Sequence, residues 1–348
     1  MIEKSSSAID ITLLVCTYNR SDDLREMLET ALKQETGGEF AYEVLVVDNN
    51  STDDTRSVVE EFIARGYENL RYLFESRQGK SYALNTGLNA ARGSIFTICD
   101  DDFILPEDWL KNIFAAFGAH PEASFVSGKV LPAWQGDPPS WLTPEHWSAI
   151  ALTDYGEKEF YADENNQICL LACSFRMADV KAVGGYNPKL GVTKNQIGGT
   201  EDFDILKRLW KSGRKGIYLP HIWFYHKVSP NRYTKEYHRR WHTGHGIFYA
   251  TMREEEFEKT TVRLFDVPAH MYRQAAKDVV NYLKYSLQRR EAETFRHETK
   301  LRFFKGFFRL RRKEFLASAE RRSSIGEIIS FINSLAAGKL KNNRSEKS

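Results

Sequence analysis

The N-terminal part of the chain alternates short apolar runs with polar clusters. Residues 11–16 are apolar and lead into Thr17-Tyr18-Asn19-Arg20; 43–47 lead into Asp48; 70–74 form a third run; 94–98 lead into Cys99-Asp100-Asp101-Asp102-Phe103. Runs of this length bounded by polar residues predict buried strands. Between them apolar residues recur with helical spacing: Leu24, Met27, Leu28, Ala31 and Leu32; Val58, Val59, Phe62 and Ile63; Ala83, Leu84, Leu88 and Ala91. Ser21-Asp22-Asp23 and the 49–54 segment supply helix caps. Strands alternating with helices predict βαβ units and an α/β fold with a mainly parallel sheet flanked by helices. In such sheets ligands bind beyond the carboxyl ends of the strands, where these polar clusters fall.

The pattern changes near Pro132. Residues 138–144 read as a loop rich in proline and aromatics, 168–175 as a strand and 183–187 as a turn. The glycine-rich 195–200 segment leads into Glu201-Asp202 and a helix over 205–210, stopped by Gly213. A last apolar strand over 216–226 ends at Tyr225-His226. Beyond Gly246 the chain becomes helical and basic, with no internal repeat. The expected organisation is one domain over 1–246, with halves of about 9–130 and 131–246, then a helical basic region over 247–348 with a frayed polar tail.

Composition narrows the function. The 348 residues carry 42% hydrophobic and 28% charged side chains, ordinary for a soluble globular protein. A formal net charge of +2 gives no general case for nucleic acid. Cys16 and Cys99 fall in expected strands, and Cys169 and Cys173 lack the second ligand pair that a zinc site needs. Residues 1–7 are polar, without the apolar core of a signal peptide, and no window reaches the ~18 apolar residues of a membrane span. The expected location is the cytoplasm, with a membrane's inner face as an allowed address.

The triple aspartate at the end of the fourth run carries the chemistry. In an extended chain Asp100 and Asp102 point the same way, and two hard oxygen ligands suit Mg²⁺ or Mn²⁺ with positions left open for a diphosphate. A solvated acidic turn is the bland alternative. Taken with Thr17-Tyr18-Asn19-Arg20, Asp48-Asn49-Asn50-Ser51-Thr52-Asp53, Gly79 through Gly87, Gly184-Gly185-Tyr186 and Glu201-Asp202, the chain resembles family 2 inverting glycosyltransferases of the GT-A fold. The resemblance covers roughly residues 11–246.

That resemblance implies transfer of a sugar from a UDP- or dTDP-sugar to a hydroxyl of a glycan, lipid-linked or small-molecule acceptor, with Mn²⁺ or Mg²⁺ as cofactor. It implies that Asp48 reads the base, Thr17, Tyr18 and Arg20 line the base and ribose pocket, and Asp100 contacts the nucleotide. Asp102 would be the principal metal ligand, joined by His226, and Asp202 the base that deprotonates the acceptor, with Glu201 orienting it. Asp101 would either bind near the sugar or face solvent. Lys80, at a helix start whose backbone N–H groups can meet a phosphate, is the cationic candidate; its alternative is a solvated lysine. His221, His238, His242 and His245 are further histidine candidates, with Gly244-His245-Gly246 a candidate lid. The rival reading is a catalytically inactive nucleotide-sugar-binding or scaffold protein of the same fold.

Two regions have no assignment from that pattern. Trp134, Trp141 or Trp147 could stack an acceptor sugar or pack the core. Residues 300–322 interleave phenylalanines with lysines and arginines, which suits either a helix lying in a lipid interface or one docked on the protein with a solvated basic face.

Overall fold

The computed structural model describes residues 9–193, 196–259 and 262–317. Residues 1–7, Asn195, the last part of 300–322 and the tail from 339 lie outside the described residues. Contacts divide the chain into two compact units, Met1–Pro138 with Trp147–Tyr233 and Pro139–His146 with Thr234–Ser348. The boundary expected at 246 falls inside a helix of the second unit.

The first unit runs β1 (Ile11–Thr17), α1 (Ser21–Ala31), β2 (Tyr42–Asp48), α2 (Thr55–Ala64), β3 (Leu70–Phe74), α3 (Lys80–Ala90), β4 (Ile95–Asp100), β5 (Phe103–Ile104), α4 (Trp109–Ala119), β6 (Ala123–Trp134), β7 (Phe160–Ala162), β8 (Ser174–Arg176), α5 (Met177–Ala182), α6 (Glu201–Lys211) and β9 (Lys215–Val228). Among the described residues these strands form one sheet in the order β3-β2-β1-β4-β8-β6-β9-β5, with β7 on β9. The βαβ units make β1, β2, β3 and β4 parallel, while β8 is antiparallel to β4 and β6. Strands buried on both faces explain the nearly unbroken apolar runs. Leu14, Leu45, Phe96, Phe125, Phe175 and Trp210 are buried in one core between sheet and helices.

Register positions the site. Thr17 is level with Asp48, and Cys16 with Asp100, so three polar strand ends emerge on one edge. The short β5 pairs Phe103 with His226 of β9, and Lys227 N donates to Asp102 O at 2.9 Å. The strand expected over 168–175 shrinks to Ser174–Arg176. The residues before it form an irregular loop in which Ala172 has φ 47°, a left-handed conformation that breaks strand pairing.

The second unit contains α7 (Lys235–Met252), α8 (Glu255–Glu258), the β10 (Arg263–Leu264) and β11 (Val267–Pro268) hairpin, α9 (Ala269–Leu287) and α10 (Glu291–Ala317). Helices α7 and α10 meet backbone to backbone: a Cβ on Gly306 would lie 2.0 Å from Thr243 O, and one on Gly246 2.1 Å from Phe303 O. Gly244-His245-Gly246 is therefore the middle of a packed helix rather than a lid. Phe304 and Phe307 are buried against Ala250, Val267 and Met271, with Phe303 and Phe308 packed beside them. Phe303, Phe304, Phe307 and Phe308 thus pack in this unit's core, which fits the docked alternative for that helix. No helix among the described residues is long and apolar enough to cross a membrane.

Candidate active site

The loop after β1 turns sharply because Asn19 adopts φ 51°, a conformation asparagine tolerates better than most residues. Its side-chain oxygen accepts Thr52 N at 2.7 Å, tying the β1 and β2 ends together. Beyond the turn Arg20 folds back over the aspartates. One of its guanidinium nitrogens donates to Asp101 Oδ1 and to Asp102 Oδ2, both at 2.9 Å. Thr17 Oγ1 donates to Asp101 Oδ2 at 2.8 Å. Asp101 is thus buried and held from both sides, so it does not face solvent. Burial, opposed by Arg20, pushes its carboxyl up to about 7.

Asp102 is buried as well, yet the guanidinium groups of Arg232 and Arg20 help hold its carboxyl below the usual carboxylate range. Asp102 Oδ1 lies 3.2 Å from His226 Nε2, and an Arg232 nitrogen lies 2.8 Å from that same Nε2. A guanidinium only donates, so this contact requires a lone pair on Nε2. Asp102 Oδ1 then faces a lone pair, and it is buried with no hydrogen-bond partner. Two electron-pair donors, one oxygen and one imidazole nitrogen, then converge where a cation between them would satisfy both. The pair fits Mn²⁺ or Mg²⁺ with substrate oxygens completing the shell. Among the described residues no group of three His, Cys, Asp or Glu side chains converges to hold a metal without substrate.

Thr17, Tyr18, Arg20, Lys80, Asp100, Asp101, Asp102 and Arg232 line a cleft of about 310 Å³. Asp48 does not line it. Its Oδ1 accepts Ser51 N and its Oδ2 accepts the Tyr72 hydroxyl, each at 2.8 Å. Gln78 and Arg232 border the cleft without having been singled out from the sequence, and Asn49 borders it from within the Asp48–Asp53 segment. Asn49 accepts Gly79 N at 2.8 Å and donates to Arg77 O at 2.7 Å, which fixes the loop before α3. Lys80 N is taken by Val192 O at 2.9 Å. The expected phosphate site on the free N–H groups at the start of α3 is corrected accordingly: the amides of Gly79 and Lys80 are already engaged.

Lys80 Nζ instead reaches Asp100 Oδ1 at 2.9 Å. Burial opposes its charge, but Asp100, Asp202 and Glu201 outweigh burial and raise its proton affinity. Glu201 and Asp202 open α6 directly. Burial and the neighbouring Asp202 push Glu201 up to about 7, and burial raises Asp202 against the pull of Lys80. Glu201 Oε2, Ser81 Oγ, Tyr186 OH and Thr200 Oγ1 are all buried without hydrogen-bond partners. Lys80, Asp100, Asp202, Cys173 and Phe175 line a second, smaller cavity of about 40 Å³. The two spaces therefore share Lys80 and Asp100 as a common wall.

Other expected residues lie elsewhere. His221 is exposed on β9, and His238, His242 and His245 belong to α7 in the second unit. Trp141 is buried, edge-on to His146, His238 and Phe295, so it presents no open face to a sugar. Trp134 packs edge-on against Tyr233, with ring centroids 5.4 Å apart.

Residues 12–183 match the family model described as Glycosyl transferase family 2. Glycosyltransferase AglE of Haloferax volcanii is 34% identical over 102 residues, 29% of this chain and 33% of that protein. The glucosyl-dolichyl phosphate glucuronosyltransferase of the same organism is 24% identical over 229 residues, 64% of this chain and 70% of that protein. The match thus spans about a third of the first relative's length and rather more of the second. Among solved structures, mannosyltransferase PcManGT from Pyrobaculum calidifontis in complex with GDP-Man and Mn²⁺ superposes with a TM-score of 0.54 at 20% identity, covering 97% of this chain and 82% of that one. The architecture is the GT-A fold, and the resemblance to family 2 rests on the span that contains the aspartate triplet.

Proposed function

We propose, from the premise that the chain resembles glycosyl transferase family 2 across residues 12–183, that it is an inverting, metal-dependent glycosyltransferase acting on a UDP- or dTDP-sugar. The observation that carries this reading is the wall shared by the two spaces. A cleft with a cation-competent Asp102–His226 pair adjoins a cavity lined by Asp202, and Lys80 and Asp100 stand between them.

In this reading the donor's base and ribose occupy the cleft beside Thr17 and Tyr18, and Asp100 contacts the nucleotide. Asp48 keeps unused lone pairs beyond its Ser51 and Tyr72 contacts, but it is buried outside the cleft's lining, so accepting the imide N–H of the pyrimidine would require a local rearrangement that brings the base to it. Asp102 and His226 would hold the divalent cation, which as a Lewis acid stabilises negative charge on the departing diphosphate. Arg20, Arg232 and Lys80 supply further positive charge to the same oxygens. The acceptor hydroxyl enters from the Asp202 side. Its oxygen forms the new bond to the anomeric carbon as the bond to the diphosphate breaks, and its proton passes to Asp202. Raised proton affinity suits that carboxylate to general-base work. Glu201 orients the acceptor. The dolichyl-phosphate relative makes a lipid-linked acceptor the favoured class.

Asp202→Asn keeps the side chain's shape and removes the base. The expected result is a loss of transfer of roughly 10²–10⁴-fold, with UDP binding in the presence of Mn²⁺ unchanged by calorimetry. Normal turnover by this variant would remove Asp202 from the mechanism.

A further inference from the structure

Four of the large apolar side chains left exposed among the described residues lie on α9: Val279, Val280, Leu283 and Leu287, the last two 55% and 86% exposed. Ala276, Val280, Leu283 and Leu287 follow helical spacing and make one stripe. Arg273, Lys277 and Lys284 follow the same spacing one step round the helix and form a basic row beside it. Arg289 adds charge just past the C-terminal end, where Arg290 is paired with Glu293. The helix's one acidic residue, Asp278, is buried on the opposite side, where it meets His297 Nδ1 at 2.8 Å and Gln274 Nε2 at 3.1 Å.

The exposed face of α9 is thus apolar and cationic with no acidic side chain of its own. Within the same unit α10 exposes Lys305, Arg309, Arg312 and Lys313 and buries its phenylalanines. We propose that α9 docks this protein on an anionic lipid surface, lying in the interface with Val280, Leu283 and Leu287 in the acyl boundary and Arg273, Lys277 and Lys284 on the headgroups. A protein partner of matching shape would need no row of cations beside the apolar stripe. An anionic bilayer meets both features at once. The apolar stripe supplies depth, and the basic row supplies attraction that weakens with salt.

The test uses the full chain and vesicles of phosphatidylcholine with or without phosphatidylglycerol, read by co-sedimentation without donor or acceptor. Wild type is expected to bind the phosphatidylglycerol vesicles and to be released by high salt. Leu283→Ser with Leu287→Ser replaces exposed side chains only, and its fold is checked by circular dichroism. It is expected to bind roughly tenfold more weakly or less. Lys277→Glu with Lys284→Glu should abolish the preference for the anionic vesicles. Three results overturn the proposal: wild type that stays in the supernatant, a double-serine variant that binds like wild type, or a wild-type dimer that the double-serine change makes monomeric without vesicle binding by either. If removing residues 318–348 is what first permits binding, the stripe is covered by the chain's own C-terminal segment, and the proposal again fails.

Discussion

Arg20→Gln tests how the aspartate cluster is neutralised. One guanidinium nitrogen sits 2.9 Å from an oxygen of Asp101 and 2.9 Å from an oxygen of Asp102, and those carboxylates are only 4% and 6% exposed. A unit charge pair at about 4 Å is worth roughly 4 kcal/mol at an effective dielectric constant near 20. The Arg20 side chain is 45% exposed, so solvent screens much of that, as it does for surface pairs. The discounted loss is about 2 kcal/mol, below the ~3–5 kcal/mol of a fully buried broken pair. In a unit of this size that lowers Tm by about 4–8 °C in chelator. Mn²⁺ reverses the effect in a diagnostic way. In wild type a cation at Asp102 Oδ1 and His226 Nε2 must displace Arg232 from the imidazole nitrogen and settle beside the Arg20 charge on Oδ2; in the variant it meets carboxylates short of positive charge. Saturating Mn²⁺ is therefore expected to raise the variant's Tm more than wild type's and to close at least half of the gap. Differential scanning fluorimetry with and without Mn²⁺ measures this. A gap unchanged or widened by Mn²⁺ would refute the claim that Arg20 stands in for the cation.

The remaining predictions concern packing, proton transfer and base recognition. Gly306→Ala places a Cβ 2.0 Å from Thr243 O, where ordinary contact begins near 3.4 Å, and is expected to cost about 1–3 kcal/mol. Gly118→Ala in α4, with nothing within 4 Å, should instead stabilise by about 0.5–1 kcal/mol; urea titrations compare the two, and equal effects would refute the close α7–α10 approach. Because Glu201 is pushed up to about 7 and Asp202 is raised beside it, the base must lose a proton to work. Thus kcat/KM should fall towards acid pH with a limb above the ordinary aspartate range, because burial raises Asp202; a limb at the ordinary aspartate value would remove it as the base. Asp48→Asn should weaken UDP binding roughly tenfold or more while leaving Mn²⁺ binding intact. Equal UDP affinity in isothermal titration would take Asp48 out of base recognition.

The strand ends were legible because a buried parallel strand must be apolar until it emerges. That rule alone puts Thr17, Asp48 and Asp100 at one edge, and the register pairs Cys16 with Asp100 and Thr17 with Asp48. Glu201 and Asp202 were legible as a helix start after a glycine-rich loop. Arg232 was not, since its approach to Asp102 depends on β9 pairing with β5 and on the 3₁₀ turn Pro230–Tyr233, which no local pattern announces. The engaged amides of α3 depend on Val192 and Asn49, far apart in sequence. The choice left open for 300–322 has a general cause. Periodicity reveals that a helix has an apolar face but not which neighbour covers it, and here α10 turns its phenylalanines inward while α9 leaves its valines and leucines exposed.

Lys80 belongs to both spaces of the site, and this makes them thermodynamically reciprocal. Its ammonium balances Asp100 directly and lowers the proton affinity of Asp202 at longer range. An anion that draws the ammonium toward itself leaves Asp202 facing Asp100 with less positive charge nearby, so its affinity for a proton rises. By linkage, a protonated Asp202 must alter anion affinity by the same factor. In the proposed reaction a single side chain would thus make Asp202 the stronger base while the diphosphate is in place and the weaker one once it has left.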